Sequence, residues 1–309
     1  MRNAFAAAIT ELAAADERIV LLSGDIGNRL FDTYRARCPE RFYNCGVAEA
    51  NMTGMAAGLA LSGLRPFTYT ITPFATTRVI EQIRVDICYH DVPVVIVGTG
   101  SGLSYASLGP THHSCEDVGI LRCFPNLTVL CPADSSEVRP AIEAALGLPG
   151  PAYIRLGKKG EPTIHVTPPS FTVGKGIVMR EGSDVCLLGM GTMTSVALAA
   201  ADELAGRGLS SRVVSMHTVK PLDEALLADS FGRFRAVAVV EEHSVIGGLG
   251  SAIAEWRCRR DGPHPPLVVC GTPDAFISEA GSQAWMRQRC GLTGPAVAAA
   301  VLARLGASR

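Results

Sequence analysis

Charge is what this sequence has least of: charged residues make up 18% of its 309, and the two signs nearly cancel to a formal net charge of -1. So neutral a chain gives no electrostatic case for nucleic acid or an anionic membrane, both of which are bound through clustered Lys and Arg. Small molecules and other proteins are the expected partners. No uninterrupted apolar run reaches the ~20 residues a membrane-spanning helix needs. The opening MRNAFAAAITE is interrupted by Glu11, Asp16 and Glu17 before any cleavage site, so it reads as an amphipathic helix of a soluble, cytoplasmic protein. The ten cysteines include no CxxC pair, which excludes zinc-finger spacing and a disulfide framework and leaves reduced, structural thiols. No internal repeat or low-complexity tract stands out.

Apolar residues, at 48%, are abundant, and the length exceeds one typical domain, so two cores are expected. With little charge to cover it, part of the apolar surface should face another subunit. Short Val- and Ile-rich runs at 19–22, 67–71, 92–97, 127–130 and 152–154 read as buried strands. Helical patterns lie between them at 48–61, 76–89 and 137–146, the last opened by Asp134 with Glu137 three residues on as a capping box. From 157 to 174 the chain turns basic and proline-rich, with Lys158, Lys159, Pro162, Pro168 and Pro169, and reads as a linker. Strands at 185–188, 212–216, 236–240 and 267–270, with helices near 195–205 and 250–256, form a second set. Alternation of this kind implies α/β architecture: two α/β domains with mostly parallel sheets covered on both faces, divided as 1–160, a linker at 161–174, and 175–309.

Four clusters are candidates for chemistry. Glu49 is the lone acid in the first turn of a helix of small apolar residues, GVAEANMTGMAAG. The helix dipole alone would favour it there, but Gly54 and Gly58 share a face that admits another backbone, and Met52, Met55 and Leu59 surround it. A carboxylate so desolvated suits proton exchange with a nitrogen base. In GPTHHSCED, His112, His113 and Cys115 are too crowded to converge readily on one metal ion, and a Cys-His nucleophile is no better supported. His112 is the stronger ligand-facing candidate, because loops beyond the carboxyl ends of parallel strands hold ligands, and His113 reads as a solvated loop residue. GMGTMT at 189–194 lacks the third glycine and the acidic residue of a dinucleotide site, and like Gly247, Gly248 and Gly250 reads as a structural turn. Arg155, beside Lys158 and Lys159, could grip a phosphate or carboxylate with two parallel hydrogen bonds, or form an ordinary surface salt bridge.

Taken in order, SGD at 23–25, GVAEANM, EQIR at 81–84, GPTHHSCED, CPAD at 131–134, VKPLD at 219–223 and EEHSVIGGLG at 241–250 resemble the C-terminal half of transketolases over essentially the whole chain. The resemblance implies a pyrimidine-binding domain followed by the transketolase C-terminal domain, in the small subunit of a split enzyme. Glu49 then matches the glutamate that hydrogen-bonds N1′ of the aminopyrimidine of thiamine diphosphate, favouring the imino form whose N4′ activates the thiazolium C2. A two-carbon ketol unit would pass from a ketose to an aldose. His112 matches the histidine that contacts sugar hydroxyls, Arg155 the arginine for substrate phosphate, and Asp25 an aspartate near the cofactor at the subunit contact. A ring stacking on the pyrimidine is expected. Phe74 is named for it, although an ungapped count places Ala75 at that position.

Two departures bear on substrate, since Gly100 and Leu108 stand where the family has a histidine and an aspartate. A third bears on assembly. The family holds the diphosphate and Mg²⁺ on a Gly-Asp-Gly motif, and this sequence has none. A large subunit carrying that domain is the expected partner, in an α2β2 heterotetramer acting on sugars or sugar phosphates. The alternatives are a 2-oxoacid dehydrogenase E1 β-like or deoxyxylulose phosphate synthase-like subunit, and a non-catalytic partner subunit.

Overall fold

The computed structural model describes residues 1–27 and 29–306, so the last three residues of the expected 175–309 domain lie outside the described residues. Among the described residues, twelve strands form two sheets. In chain order they are β1 (Ile19–Ser23), β2 (Phe42–Asn44), β3 (Arg65–Ile71), β4 (Val95–Thr99), β5 (Thr128–Leu130), β6 (Ala152–Leu156), β7 (Ile177–Arg180), β8 (Val185–Gly189), β9 (Ser211–Ser215), β10 (Thr218–Lys220), β11 (Ala236–Ser244) and β12 (Leu267–Thr272). The first sheet runs β10-β5-β6-β4-β3-β1-β2 and the second β12-β11-β8-β9-β7. All pairings are parallel except β10 with β5 and β7 with β9, which close edges antiparallel. The fold is therefore two α/β domains with mostly parallel sheets.

The apolar runs do not alternate because the strands are covered on both faces. Leu21, Phe67 and Val95 stand in one register row and feed the core under the N-terminal helix Arg2–Ala15. Leu22, Ile96 and Tyr153, one residue further on, turn to the opposite core. That second core is shared. It runs from Val20 and Met52 of the first domain to Val214, Val239 and Trp256 of the second, so the two domains meet across continuous apolar packing.

Two departures from the sequence pattern matter for the site. The expected single helix at 76–89 is broken into a 3₁₀ turn at Thr77–Val79, a short α turn and a π-helical stretch at Ile83–Tyr89, and a separate turn at Thr72–Ala75 precedes it. Thr76 and Thr77 cause part of this: their hydroxyls donate back to the carbonyls of Thr72 (2.7 Å) and Pro73 (2.9 Å), competing with the helical ladder. The second departure is β10. It follows β9 in the chain but joins the first sheet at β5, tying the domains together through main-chain hydrogen bonds.

The stretch between β6 and β7 has no helix or strand, yet it is pinned. Asp134, which caps the helix Ser135–Gly147 through Ser136 N, also accepts from the main-chain nitrogens of Ile164 and His165. Glu137 reaches back to Ala133 N at 2.7 Å and accepts from His165 Nε2 at 2.7 Å and Ser215 Oγ at 2.9 Å. The capping pair that the sequence suggested thus also holds the linker and the second domain.

Candidate active site

The carboxyl ends of β1, β3, β4 and β6 open on one edge of the first sheet, the place where parallel α/β proteins bind ligands. Glu49 reaches that edge from the first turn of the helix Glu49–Leu61. It is 3% exposed. Gly24, just after β1, explains how it fits: a Cβ there would stand 3.1 Å from Thr70 Oγ1 and 3.4 Å from Glu49 Cγ. The missing side chain leaves a cradle between acid and strand, in which Thr70 Oγ1 is buried without a hydrogen-bond partner.

The structure brings Glu49, Phe74 and His112 into one cluster, and the link is a residue that sequence reasoning missed. Arg78 Nη1 donates to Glu49 Oε2 at 3.0 Å, and its guanidinium carbon lies 3.8 Å from the centroid of the Phe74 ring. The Phe74 ring meets the His112 ring edge-on at 5.3 Å. Ala75, by contrast, is buried in the core, so of the two neighbours it is Phe74 that faces the site. The only signal for Arg78 was its place four residues after Phe74, and the broken helix hides that spacing. His112 Nδ1 is 2.9 Å from Thr111 Oγ1. Asp25 stands next to Gly24 at the rim, exposed and at φ 54°, accepting from Asn44 Nδ2 at 2.9 Å.

Gly100 is explained by its neighbour. At φ +75°, a Cβ there would come within 2.0 Å of the Tyr105 ring, so Tyr105 fills the space a side chain would take. Tyr105 in turn lies 6.1 Å from the His112 ring, and Lys158 Nζ sits 4.2 Å from its centroid. Burial, with Lys159 and Arg2 adding to it, pushes the Lys158 ammonium below its ordinary value. Leu108 is exposed.

Arg155 is not at the site. The strand runs to Leu156, two residues beyond the expected end, and carries Arg155 into the interior, where its side chain is 3% exposed. Its Nε donates to Asp117 Oδ2 (2.7 Å) and its Nη2 to Asp117 Oδ1 (3.1 Å) and to the carbonyls of Ser114 (2.9 Å) and Glu242 (3.0 Å). Tyr153 Oη donates to the same carboxylate at 2.6 Å. Burial alone would raise Asp117, but the Arg155 charge and these hydrogen bonds hold its carboxyl below the usual range. Neither a substrate-phosphate grip nor a surface salt bridge describes Arg155; it is an internal clamp between domains.

The rest of that seam comes from EEHSVIGGLG. Glu241 accepts from the nitrogens of Leu249 and Gly250, and burial lifts its carboxyl to about 7 against those bonds. Glu242 accepts from Leu103 N, Gln283 and Arg287, and His243 Nε2 from Gly119 N. His113, expected in solvent, is buried, which lowers its pKa. Among the described residues, no group of three or more His, Cys, Asp and Glu is placed to hold a metal ion.

Two α/β domains joined across one core, with polar side chains gathered at the strand ends of the first, define the general class: a two-domain α/β protein with a candidate ligand site at its strand ends. Residues 1–161 match the transketolase pyrimidine-binding domain and residues 174–297 the transketolase C-terminal domain, and the chain belongs to the transketolase family. It is 40% identical over 294 residues to the 6-deoxy-6-sulfo-D-fructose transketolase subunit SqwH of Clostridium sp. strain MSTE9, covering 95% of this chain and 90% of that one. It is 37% identical over 254 residues to a subunit of the apulose-4-phosphate transketolase of Actinobacillus succinogenes, covering 82% and 81%. A solved split-gene transketolase, described as an inactive β4 tetramer, superposes with a TM-score of 0.90 at 38% identity over 100% of this chain and 98% of that one.

The pyrimidine domain implies dependence on thiamine diphosphate. The residues present fit half of that group. A buried acid, the orphaned Thr70 hydroxyl and the Phe74 ring suit a flat, nitrogen-rich ring. The site offers no Gly-Asp-Gly for the diphosphate.

Proposed function

We propose that this chain is the small subunit of a heteromeric transketolase, which supplies the acid for cofactor activation and part of the sugar site. A large subunit supplies the diphosphate and Mg²⁺ site in an α2β2 assembly. The observation that carries this is the placement of Glu49, buried at a strand-end edge and joined through Arg78 to the Phe74 ring, which in turn meets the His112 ring. Bound there, thiamine diphosphate would supply the electron sink that lets the carbon–carbon bond beside a ketose carbonyl break.

The chain's own residues do the rest. Glu49 holds a proton at the pyrimidine N1′, in a site dry enough for that hydrogen bond to be strong. Phe74 packs against the ring. Thr70 Oγ1 offers it a further polar partner. His112, oriented through Nδ1 by Thr111, turns Nε2 to the sugar hydroxyls. With Arg155 sealed away, charge for an anionic sugar end falls to Lys158, held over Tyr105.

Dependence on a partner is supported by the outer face of the Glu49–Leu61 helix. A Cβ at Gly58 would meet nothing within 4 Å, and Val47 and Leu61, at 74% and 66% exposed, flank that face. The related split-gene β tetramer is described as inactive, as a protein without the diphosphate site would be. Tyr105 against Gly100 and Leu108 nearby give a sugar site more apolar than the family pattern, which points to a specialised sugar. The relatives named for 6-deoxy-6-sulfo-D-fructose and apulose-4-phosphate support an anionic one.

The test is reconstitution. The chain is mixed with a large partner that carries Gly-Asp-Gly, thiamine diphosphate and Mg²⁺, then offered ketose donors and aldose acceptors with products read by mass spectrometry. Ketol transfer by the mixture and none by either protein alone is expected. Release of CO₂ from pyruvate without ketol transfer, or failure of the mixture to bind cofactor, would overturn the proposal.

A further inference from the structure

Arg78 makes two contacts at once: a planar cation lies 3.8 Å from the centroid of the Phe74 ring and donates to the Glu49 carboxylate at 3.0 Å. A stack on Phe74 and a hydrogen bond to Glu49 are the same two contacts assigned above to the aminopyrimidine. A guanidinium is flat and rich in N–H donors, so it imitates such a ring in shape and polarity. We infer that Arg78 is an internal placeholder for the pyrimidine: it occupies the Glu49–Phe74 site in the free subunit and must swing out when thiamine diphosphate enters. This rests on the cofactor reading under Proposed function.

Three features of the structure support a movable occupant. The Arg78 side chain is 42% exposed although the carboxylate it holds is 3% exposed, so the head group reaches inward from a stem at the surface and has solvent to return to. It is carried on the 3₁₀ turn Thr77–Val79, between Thr76, whose backbone (φ -129°, ψ -84°) departs from helical angles, and the π-helical stretch. Such a segment has no continuous helical ladder to hold it rigid. The site is also costly to leave empty. Glu49 and Thr70 are buried side by side at Gly24, and an acid left there without a partner would bear its full desolvation penalty. Arg78 relieves it at a modest cost to cofactor affinity, because a half-exposed ion pair and an exposed cation–π contact are both weak.

The occupant also bears on chemistry. A carboxyl that serves N1′ must bring the shared proton with it, whereas one that accepts from a guanidinium need not. Departure of Arg78 therefore hands Glu49 over to its role only when the pyrimidine is present.

The experiment uses the reconstituted two-subunit complex and measures thiamine diphosphate affinity by calorimetry, with Mg²⁺ present, for wild type, Arg78→Ala, Arg78→Gln and Arg78→Lys. Removing the competitor should tighten cofactor binding by about three- to thirty-fold for Ala and Gln, the combined worth of one half-exposed ion pair and one cation–π contact. Arg78→Lys, which keeps the charge and loses the planar stack, should fall between. Thermal midpoints give a second readout that does not depend on turnover. The Ala variant should melt below wild type without cofactor, and the gap should close when cofactor saturates the site, which a purely structural arginine would not do. Unchanged or weaker binding by the variants, with wild type binding normally, overturns the placeholder alone. A wild-type complex that binds no cofactor overturns the functional reading, and the placeholder with it.

Discussion

Arg155 offers the sharpest test of how the two domains are held. Replacing it by Ala removes four donated hydrogen bonds and leaves the Asp117 carboxylate, 1% exposed, without its counter-charge. Breaking a buried pair from one side typically costs ~3–5 kcal/mol, far more than the pair is worth against an apolar replacement. At ~2–4 °C per kcal/mol for domains of this size, the unfolding midpoint should drop by roughly 6–20 °C. Differential scanning calorimetry on the free chain reads this directly. The double variant Arg155→Met with Asp117→Leu should recover much of the loss, because both charges leave together. Acid should act in the same direction. Folding holds the Asp117 carboxyl below its ordinary value, so its contribution is complete above about pH 4 and is lost as the pH falls through the folded value. An Arg155→Ala chain within ~0.5 kcal/mol of wild type, yet with a raised KM for a phosphorylated sugar, would refute the clamp and restore the substrate role.

Other outcomes follow from the same geometry. His165 gains its proton affinity from the Glu137 hydrogen bond, against burial. It therefore steadies the linker fully below about pH 6.5 and releases it as the pH rises through the elevated folded value. Protection from hydrogen exchange at 161–174, taken relative to the intrinsic rate at each pH, should fall as the pH rises above about 6.5, and His165→Ala should flatten that dependence. At Gly58, where a Cβ meets nothing, Leu should leave the free chain folded, stabilise its helix by roughly 0.5–1 kcal/mol and weaken assembly with the large subunit roughly tenfold or more, since interfaces pack as densely as interiors. Unchanged co-elution on size exclusion would show that this face is not the contact.

What the sequence revealed, and what it hid, divides by range. Most of the β-strands were legible because burial on both faces writes continuous apolar runs such as 94–97 and 185–188. The burial of Glu49 was legible because one acid in an apolar first turn is a local anomaly. Arg155 was misjudged because its meaning lies with Asp117, 38 residues away, and Glu242, 87 residues away, and because the strand was taken as ending two residues early. His113 was misplaced because a loop read as polar is tucked under the second domain. Arg78 was invisible for the opposite reason: its partner Glu49 is on another helix, and the Thr76 and Thr77 back-bonds break the periodicity that would have placed it beside Phe74. The exchange of β10 into the first sheet likewise has no local signature.

The central claim is that the Glu49 carboxyl works on the pyrimidine of a cofactor whose diphosphate another chain holds. Glu49→Gln keeps the size and the hydrogen-bonding shape but cannot share a proton at N1′. In the reconstituted complex, ketol transfer measured at saturating cofactor should fall by about 10²–10⁴-fold, with the two subunits still co-eluting. Full turnover by the Gln variant would contradict the account.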